Sequence, residues 1–398
     1  MPAASSRLKN LPVYLFSTMD EKVAKAKAEG KDVIGLGVGD PDLPTPAIIV
    51  EAMQRATADA KNHDYPPYKG TGEFCDSVQR WMKNRFGVDV DTQTEVHSLI
   101  GSKEGLAHLI LGYIEPNDVV LCPSPGYPVY HNYTIICGGQ PYTVPLLADN
   151  GFLPDLDAIP ADIAARAKLL FLNYPNNPTG GIATEDFIKK AIAFCKKYDI
   201  LLCHDNAYSE MTFDGYKAPS FLSVEGAKDV CIEMFSLSKM YNMTGWRVGF
   251  AVGNAEAIKV LGTIKSNTDS GVFKAIQHAA AVGLDHSASL TEGLNDIYGR
   301  RRKIMVDGLK ELGWPMNPEP ATFYLWVPVP TGMKSVEFTE MLLERCAVVV
   351  PSGTGYGAVG EGFFRIALTV SEERLKDVLK RMKDQGMTWD QLARKNAA

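Results

Sequence analysis

Ser236-Leu237-Ser238-Lys239-Met240-Tyr241-Asn242-Met243-Thr244-Gly245-Trp246-Arg247-Val248-Gly249 is the stretch on which the reading of this chain turns. It offers one amine, two serine hydroxyls and one guanidinium close together, with glycines on both sides of the arginine. The apolar run before it, Val230 to Phe235, reads as a buried strand. Lys239 therefore lies just past a strand's carboxyl end, where open α/β sheets bind ligands. A lysine amine forms a Schiff base with an aldehyde. Hydroxyls and a two-pronged guanidinium hold a phosphate. A cofactor that is both an aldehyde and a phosphate ester, pyridoxal 5′-phosphate, answers to both halves.

Working outward, strands and helices alternate. Lys168-Leu169-Leu170-Phe171-Leu172 reads as a buried strand, followed by a turn rich in Asn, Pro and Gly. Thr184 is placed to cap a helix whose apolar face is Phe187, Ile188, Ala191, Ile192 and Cys195. Ile200 to Cys203 and Val248 to Val252 are further strands. The alternation predicts a mainly parallel sheet covered by helices. Beyond it the pattern changes: a long helix over 295–312, short strands around Thr322 to Trp326 and Phe363 to Ile366, and a helix over 372–387.

Two more groups fit the same cofactor. Ile100-Gly101 ends an apolar run and Ser102-Lys103-Glu104 opens a helix, whose first backbone N–H groups suit a phosphate. The Lys103 amide, rather than its amine, is the expected phosphate donor. Asp205 directly follows a strand, and a buried carboxylate there needs a partner.

The S-L-S-K…G-W-R-x-G pattern resembles the lysine signature of the aspartate-aminotransferase-like enzymes, fold type I of the pyridoxal-phosphate proteins. Asn173-Tyr174-Pro175-Asn176-Asn177-Pro178-Thr179-Gly180, His204-Asp205-Asn206-Ala207-Tyr208 and Phe363-Phe364-Arg365-Ile366-Ala367 resemble three further motifs of that family, in its order and rough spacing. The resemblance implies an α/β large domain at 45–290, with a mainly parallel central sheet flanked by helices. It also implies a smaller α+β domain made of 1–44, including an N-terminal arm, and 291–398. It implies that Lys239 carries the cofactor and moves the proton, and that Asp205 pairs with the pyridinium nitrogen. Asn177 and Tyr208 would bond the ring oxygen, and Tyr127 would stack on the ring. Gly101, Ser102, Lys103, Ser236, Ser238 and Arg247 would surround the phosphate. Arg365 would take the substrate α-carboxylate, with Tyr127, Asn177 and Gly39 beside it. Tyr65 would reach the phosphate of a neighbouring subunit, so a homodimer with shared sites is expected.

Within that family the chain most resembles the bacterial and archaeal LL-diaminopimelate aminotransferases. The matching stretches are Gly37 to Pro46, Tyr65-Pro66-Pro67-Tyr68, Ile100-Gly101-Ser102-Lys103-Glu104-Gly105, Pro125-Gly126-Tyr127-Pro128-Val129-Tyr130 and Tyr241 to Trp246. The implied reaction makes LL-diaminopimelate from tetrahydrodipicolinate and glutamate, as a step of lysine biosynthesis. Two alternatives share the fold: an aspartate- or alanine-type aminotransferase of broader specificity, and a carbon–sulfur β-lyase. Plant-type LL-diaminopimelate aminotransferases carry a glutamate shortly after the Tyr65 position. Here Tyr65-Pro66-Pro67-Tyr68-Lys69-Gly70 has no carboxylate, which makes Asp269 or Ser270 the candidate to receive the distal ammonium.

Composition sets the remaining bounds. A formal net charge of −6 argues against nucleic-acid and anionic-membrane partners. Seven scattered cysteines without a C-x-x-C pair suit reduced thiols in a cytoplasmic enzyme. The histidines show no metal-ligand spacing, so no metal is expected, and His204 is placed beside the cofactor's surroundings. Gly35-x-Gly37-x-Gly39 lacks the dinucleotide spacing. The amino terminus lacks the apolar core of a signal peptide, and its first long stretch, from Asp20 to Lys31, is charged. A regulator with an added DNA-binding domain is not expected, because the segment before Gly37 is too short to hold one.

Overall fold

The computed structural model describes residues 1–12 and 23–396; residues 20–22 of the charged stretch lie outside the described residues. Its centre is a seven-stranded sheet of β1 (Val96–Leu99), β2 (Val119–Ser124), β3 (Gln140–Pro145), β4 (Ala167–Leu172), β5 (Leu201–Asp205), β6 (Cys231–Ser236) and β7 (Gly249–Gly253), in the order β1-β7-β6-β5-β4-β2-β3. Only β7 runs against the others, antiparallel to both β6 and β1. Its amino end therefore lies at the edge where the parallel strands have their carboxyl ends.

The inner strands β2, β4, β6 and β7 are mostly apolar and buried because both faces of the sheet are covered, whereas the edge strand β3 is largely exposed. Alternate positions divide between two cores. Leu170, Leu172, Leu202 and Phe235 pack with Trp81, Ile188 and Ala280. Leu169, Phe171, Cys203 and Met234 pack with Leu106, Tyr130 and Leu261 on the opposite face. The Thr184 hydroxyl accepts from the Phe187 amide and starts the Glu185–Tyr198 helix, which buries the five apolar residues read from its periodicity.

A third core joins the antiparallel pair β8 (Tyr324–Pro328) and β9 (Phe363–Ala367) to the helices Ser287–Glu311, Ser335–Cys346 and Glu372–Asp384. Ile34 and Leu36 from the amino-terminal end pack into it. On these clusters we propose the division into a large domain at 45–290 and a small one at 1–44 with 291–398. The long helix starts at Ser287 rather than near 295, so the proposed boundary falls within it. Among the described residues no helix is long and apolar enough to cross a membrane.

Candidate active site

At the carboxyl edge of the sheet lies a cavity of about 330 Å³, at the small end of the ~300–1,000 Å³ usual for small-molecule sites. Lys239, Asp205, Tyr208, Asn177, Ser236, Ser102, Lys103, Tyr127, Gly39 and Arg365 all line it. A larger cavity of about 1120 Å³ lies between the Ser287–Glu311 helix and residues 210–217. It contains none of these groups, and charges of both signs line it. Chemistry rather than volume singles out the smaller one.

Four of the parallel strands deliver groups to this edge. β1 leads through Gly101 into the Ser102–Tyr113 helix, β4 into Asn173 and Asn177, β5 ends on Asp205, and β6 ends on Ser236, three residues before Lys239. The reversed β7 brings Arg247 to the same edge. Gly101 has φ +78°, and a Cβ there would strike the Arg247 guanidinium. Arg247 Nη1 is 3.5 Å from Ser238 Oγ and 2.8 Å from the Thr244 carbonyl oxygen. Gly101, Ser238 and Arg247 thus adjoin the helix start without lining the cavity. Tyr65 stands apart: it is 84% exposed and does not line the cavity of its own subunit.

Asp205 is buried. Tyr130 donates to its Oδ2 at 2.7 Å, while its Oδ1 has no partner in the protein. Burial pushes its carboxyl up to about 6, partly offset by the Tyr130 hydroxyl and the nearby His204. Burial and the adjacent Asp205 push Tyr130 well above the ordinary range, so it stays a donor. Lys239 Nζ donates to the Gly39 carbonyl oxygen at 2.7 Å. Burial pulls its ammonium down to about 8, Arg365 and Arg247 pull the same way, and Asp40 opposes. Free amine is therefore present near neutral pH.

Arg365 is buried, and its guanidinium stacks 4.0 Å from the Tyr324 ring centroid. Nη1 donates to Asn177 Oδ1 at 2.8 Å and Nη2 to the Gly37 carbonyl oxygen, while Nε is buried without an acceptor. The Tyr208 and Tyr324 hydroxyls lie 3.2 Å apart, and Asn177 Nδ2 is 3.5 Å from Tyr208. Burial, then Tyr324, raises Tyr208 well above its usual range and keeps its proton in place. A Cβ at Gly39 would overlap the Tyr324 hydroxyl, so the close passage of this backbone segment requires glycine.

Two sequence expectations are corrected. His204 does not face the cavity. Strand alternation turns it to the other side of the sheet from Asp205, where it is buried between Glu233 and the Tyr174 carbonyl oxygen and stacked on Phe221. Neither Asp269 nor Ser270 lines the cavity, and the Asp269 carboxylate is taken by Lys265 and the Gly271 amide. Three contributors were missed. Tyr130 follows Tyr127 at helical i, i+3 spacing, which puts both on one side. Tyr324 shares a face of the β8–β9 pair with Arg365, which stands opposite Trp326. Asn173 donates to the Asp205 carbonyl oxygen at 2.6 Å and accepts from the Asn177 amide at 2.7 Å.

These features fit pyridoxal 5′-phosphate. A buried carboxylate oxygen lacks a cationic partner, an amine of lowered basicity lines the same cavity, and phosphate donors gather at a helix start. The Asp205 environment has a consequence for the cofactor-free protein. The unfolded chain releases this proton near pH 4 and the folded chain near pH 6. The folded state therefore binds the extra proton between those values, and stability falls as pH rises through the window, by about 3 kcal/mol when complete. Asp205→Asn removes that loss. Urea denaturation of the cofactor-free proteins from pH 4 to 7 should show the variant gaining on wild type across the window; a constant difference would contradict the assignment.

Residues 31–382 match the family model for aminotransferase class I and II. The chain is 54% identical to LL-diaminopimelate aminotransferase 2 of Trichormus variabilis over 386 residues, 97% of this chain and 99% of that protein. It is 52% identical to LL-diaminopimelate aminotransferase of Desulforudis audaxviator, over 95% and 97% of the two chains. Among solved structures, substrate-bound BacF from Bacillus subtilis superposes with a TM-score of 0.92 at 38% identity, covering 98% and 99%. A mutant aspartate aminotransferase of Thermus thermophilus gives 0.90 at 27%, covering 97% and 100%. With its lysine, aspartate and arginine converging at the carboxyl edge of a mainly parallel sheet, the chain belongs to the class I and II aminotransferase family.

Proposed function

We propose that this transaminase is an LL-diaminopimelate:2-oxoglutarate aminotransferase, forming LL-diaminopimelate from tetrahydrodipicolinate and glutamate in lysine biosynthesis. The observation that carries the reading is the convergence of Lys239, Asp205 and Arg365 on one cavity, in a chain whose full-length relatives bear that name. When bound, pyridoxal phosphate supplies an aldehyde for the amino group and a ring that accepts the electron pair left at the substrate's Cα.

The chain's own groups do the rest. Asp205 Oδ1 holds a protonated ring nitrogen, because an opposite charge favours the charged form. Asn177 and Tyr208 would hydrogen-bond the ring oxygen, and Tyr127, which lines the same cavity, would stack on the ring. The Ser102 and Lys103 amides, Ser236, Ser238 and Arg247 hold the phosphate, with Gly101 admitting the guanidinium. Lys239 Nζ would take the proton from Cα and, as an ammonium, return it to the carbon that bore the cofactor's aldehyde. Arg365, flanked by Tyr127, Asn177 and Gly39, fixes the α-carboxylate and so aims the Cα–H bond at Lys239.

The exposed Tyr65 and Tyr68 support a homodimer in which this loop completes a neighbour's phosphate site. Seven free thiols support a cytoplasmic setting. Asp205 is the sole carboxylate among the described lining residues. The distal ammonium of diaminopimelate must therefore meet carbonyl or hydroxyl oxygens or the second subunit. Steady-state assays of 2-oxoglutarate with LL-diaminopimelate, aspartate, alanine and cystathionine test the substrate. Glutamate should form fastest with LL-diaminopimelate. Faster reaction with aspartate or alanine would contradict the reading, as would pyruvate and ammonia released without an oxo-acid acceptor.

A further inference from the structure

Lys265, on the Ala255–Thr268 helix, is wholly buried. Its ammonium donates to Glu104 Oε1 and, at 3.0 Å, to Asp269 Oδ2. With His108 these two carboxylates form a cluster whose ligand atoms lie within 4.8 Å of one another, a spacing that could hold a metal ion. The ammonium already supplies the positive charge there, with three donors on a compact head.

What the cluster touches gives it a direction. Glu104 is in the first turn of the Ser102–Tyr113 helix, and its Oε2 accepts from the Ile100 amide at 3.2 Å. It thereby sets the turn through Gly101 from which the phosphate-facing amides project, at an N-cap with no side-chain cap of its own. On the other side, Asp269 Oδ1 accepts from the Gly271 amide at 2.7 Å. Burial raises the Asp269 carboxyl, but Lys265 and the Gly271 amide outweigh it and hold it below its usual range. A Cβ at Gly271 would come within 3.3 Å of Pro66, so this segment lies directly against the loop that carries Tyr65. Gln277 completes the contact, donating to the Val272 carbonyl oxygen and accepting from the Thr71 amide, both at 2.7 Å.

We propose that Lys265 is a positioning residue that fixes the phosphate-binding turn through Glu104 and, through Asp269, ties it to the Tyr65–Thr71 loop. One buried ammonium thus sets both the phosphate contacts of its own subunit and the loop offered to a neighbour. The proposal rests on the phosphate-site reading given above. Removing the ammonium leaves two half-buried carboxylates facing each other without their shared cation, so Lys265→Met is a severe change. Asp269→Asn is milder: it keeps the Lys265–Glu104 pair and weakens only the link to the loop.

The test uses the cofactor-free dimer, titrated with inorganic phosphate by calorimetry and followed by amide hydrogen exchange. Wild type should bind phosphate. Lys265→Met should bind at least about tenfold more weakly, as expected for the loss of a buried, oriented charge pair. Asp269→Asn should keep phosphate affinity within about twofold, while the hydrogen-bonded Gly70, Thr71 and Gly271 amides exchange at least about tenfold faster and those of β4 do not change. If Lys265→Met fails to fold, Asp269→Asn decides alone. Unchanged loop exchange in that variant, or exchange that quickens equally in β4, overturns the proposal. Wild-type binding with undiminished affinity in Lys265→Met overturns it while leaving the phosphate site intact. Failure of wild type to bind phosphate overturns the site reading and the proposal with it.

Discussion

Lys239→Ala is expected to lower turnover by at least about 10⁴-fold, the upper range of a positioned general acid–base group, and to abolish the absorbance of the lysine-bound cofactor. Within the described residues no other amine reaches the same place. Lys103 lines the cavity, but it is carried on the Ser102–Tyr113 helix, whereas Lys239 extends from the end of β6 to the Gly39 carbonyl oxygen. The lowered basicity of Lys239 comes chiefly from burial and then from two arginines, so a lysine elsewhere would not reproduce it. Steady-state kinetics and an absorbance spectrum of the purified variant check this. Catalysis at near-normal rate would remove the basis of the mechanism.

Arg365→Lys should lower kcat/KM for amino acid and oxo acid alike, by about 10- to 100-fold, the cost of a lost hydrogen bond to a charged group. The argument lies in the shape of the guanidinium. Its plane stacks on Tyr324 and lies 4.9 Å from the Tyr356 ring centroid, and one nitrogen is held by Asn177. Nε remains a buried donor without an acceptor, directed by a rigid fork that an ammonium cannot copy. Both half-reactions present an α-carboxylate to this donor, so kinetics with each substrate varied in turn should show parallel losses. An effect on one substrate class alone would contradict a shared carboxylate site.

Much of this was legible in the sequence because Asp205, Asn177 and Lys239 lie at or shortly after the ends of apolar runs. Asp205 ends β5, and Lys239 and Asn177 stand a few residues past the ends of β6 and β4; in a parallel sheet those ends share one edge. What was not legible depends on side-chain direction or on pairs distant in the chain. Tyr130 meets Asp205 across 75 residues and Tyr208 meets Tyr324 across 116. His204, next to Asp205, points the other way because neighbouring strand residues face opposite sides. The reversal of β7, which brings Arg247 to the site, leaves no mark in an apolar run of five residues. Asp269, half-buried just past the end of the Ala255–Thr268 helix, was not read as the partner of Lys265, four residues earlier and wholly buried in that helix.

A single-turnover absorbance scan of the pyridoxal-form enzyme tests the account most directly. The enzyme would be mixed separately with LL-diaminopimelate, glutamate, aspartate, alanine and cystathionine, with no oxo acid present. Rapid conversion to the pyridoxamine form by LL-diaminopimelate and glutamate, and not by the others, is the predicted result. Conversion by aspartate or alanine with diaminopimelate inert would contradict it.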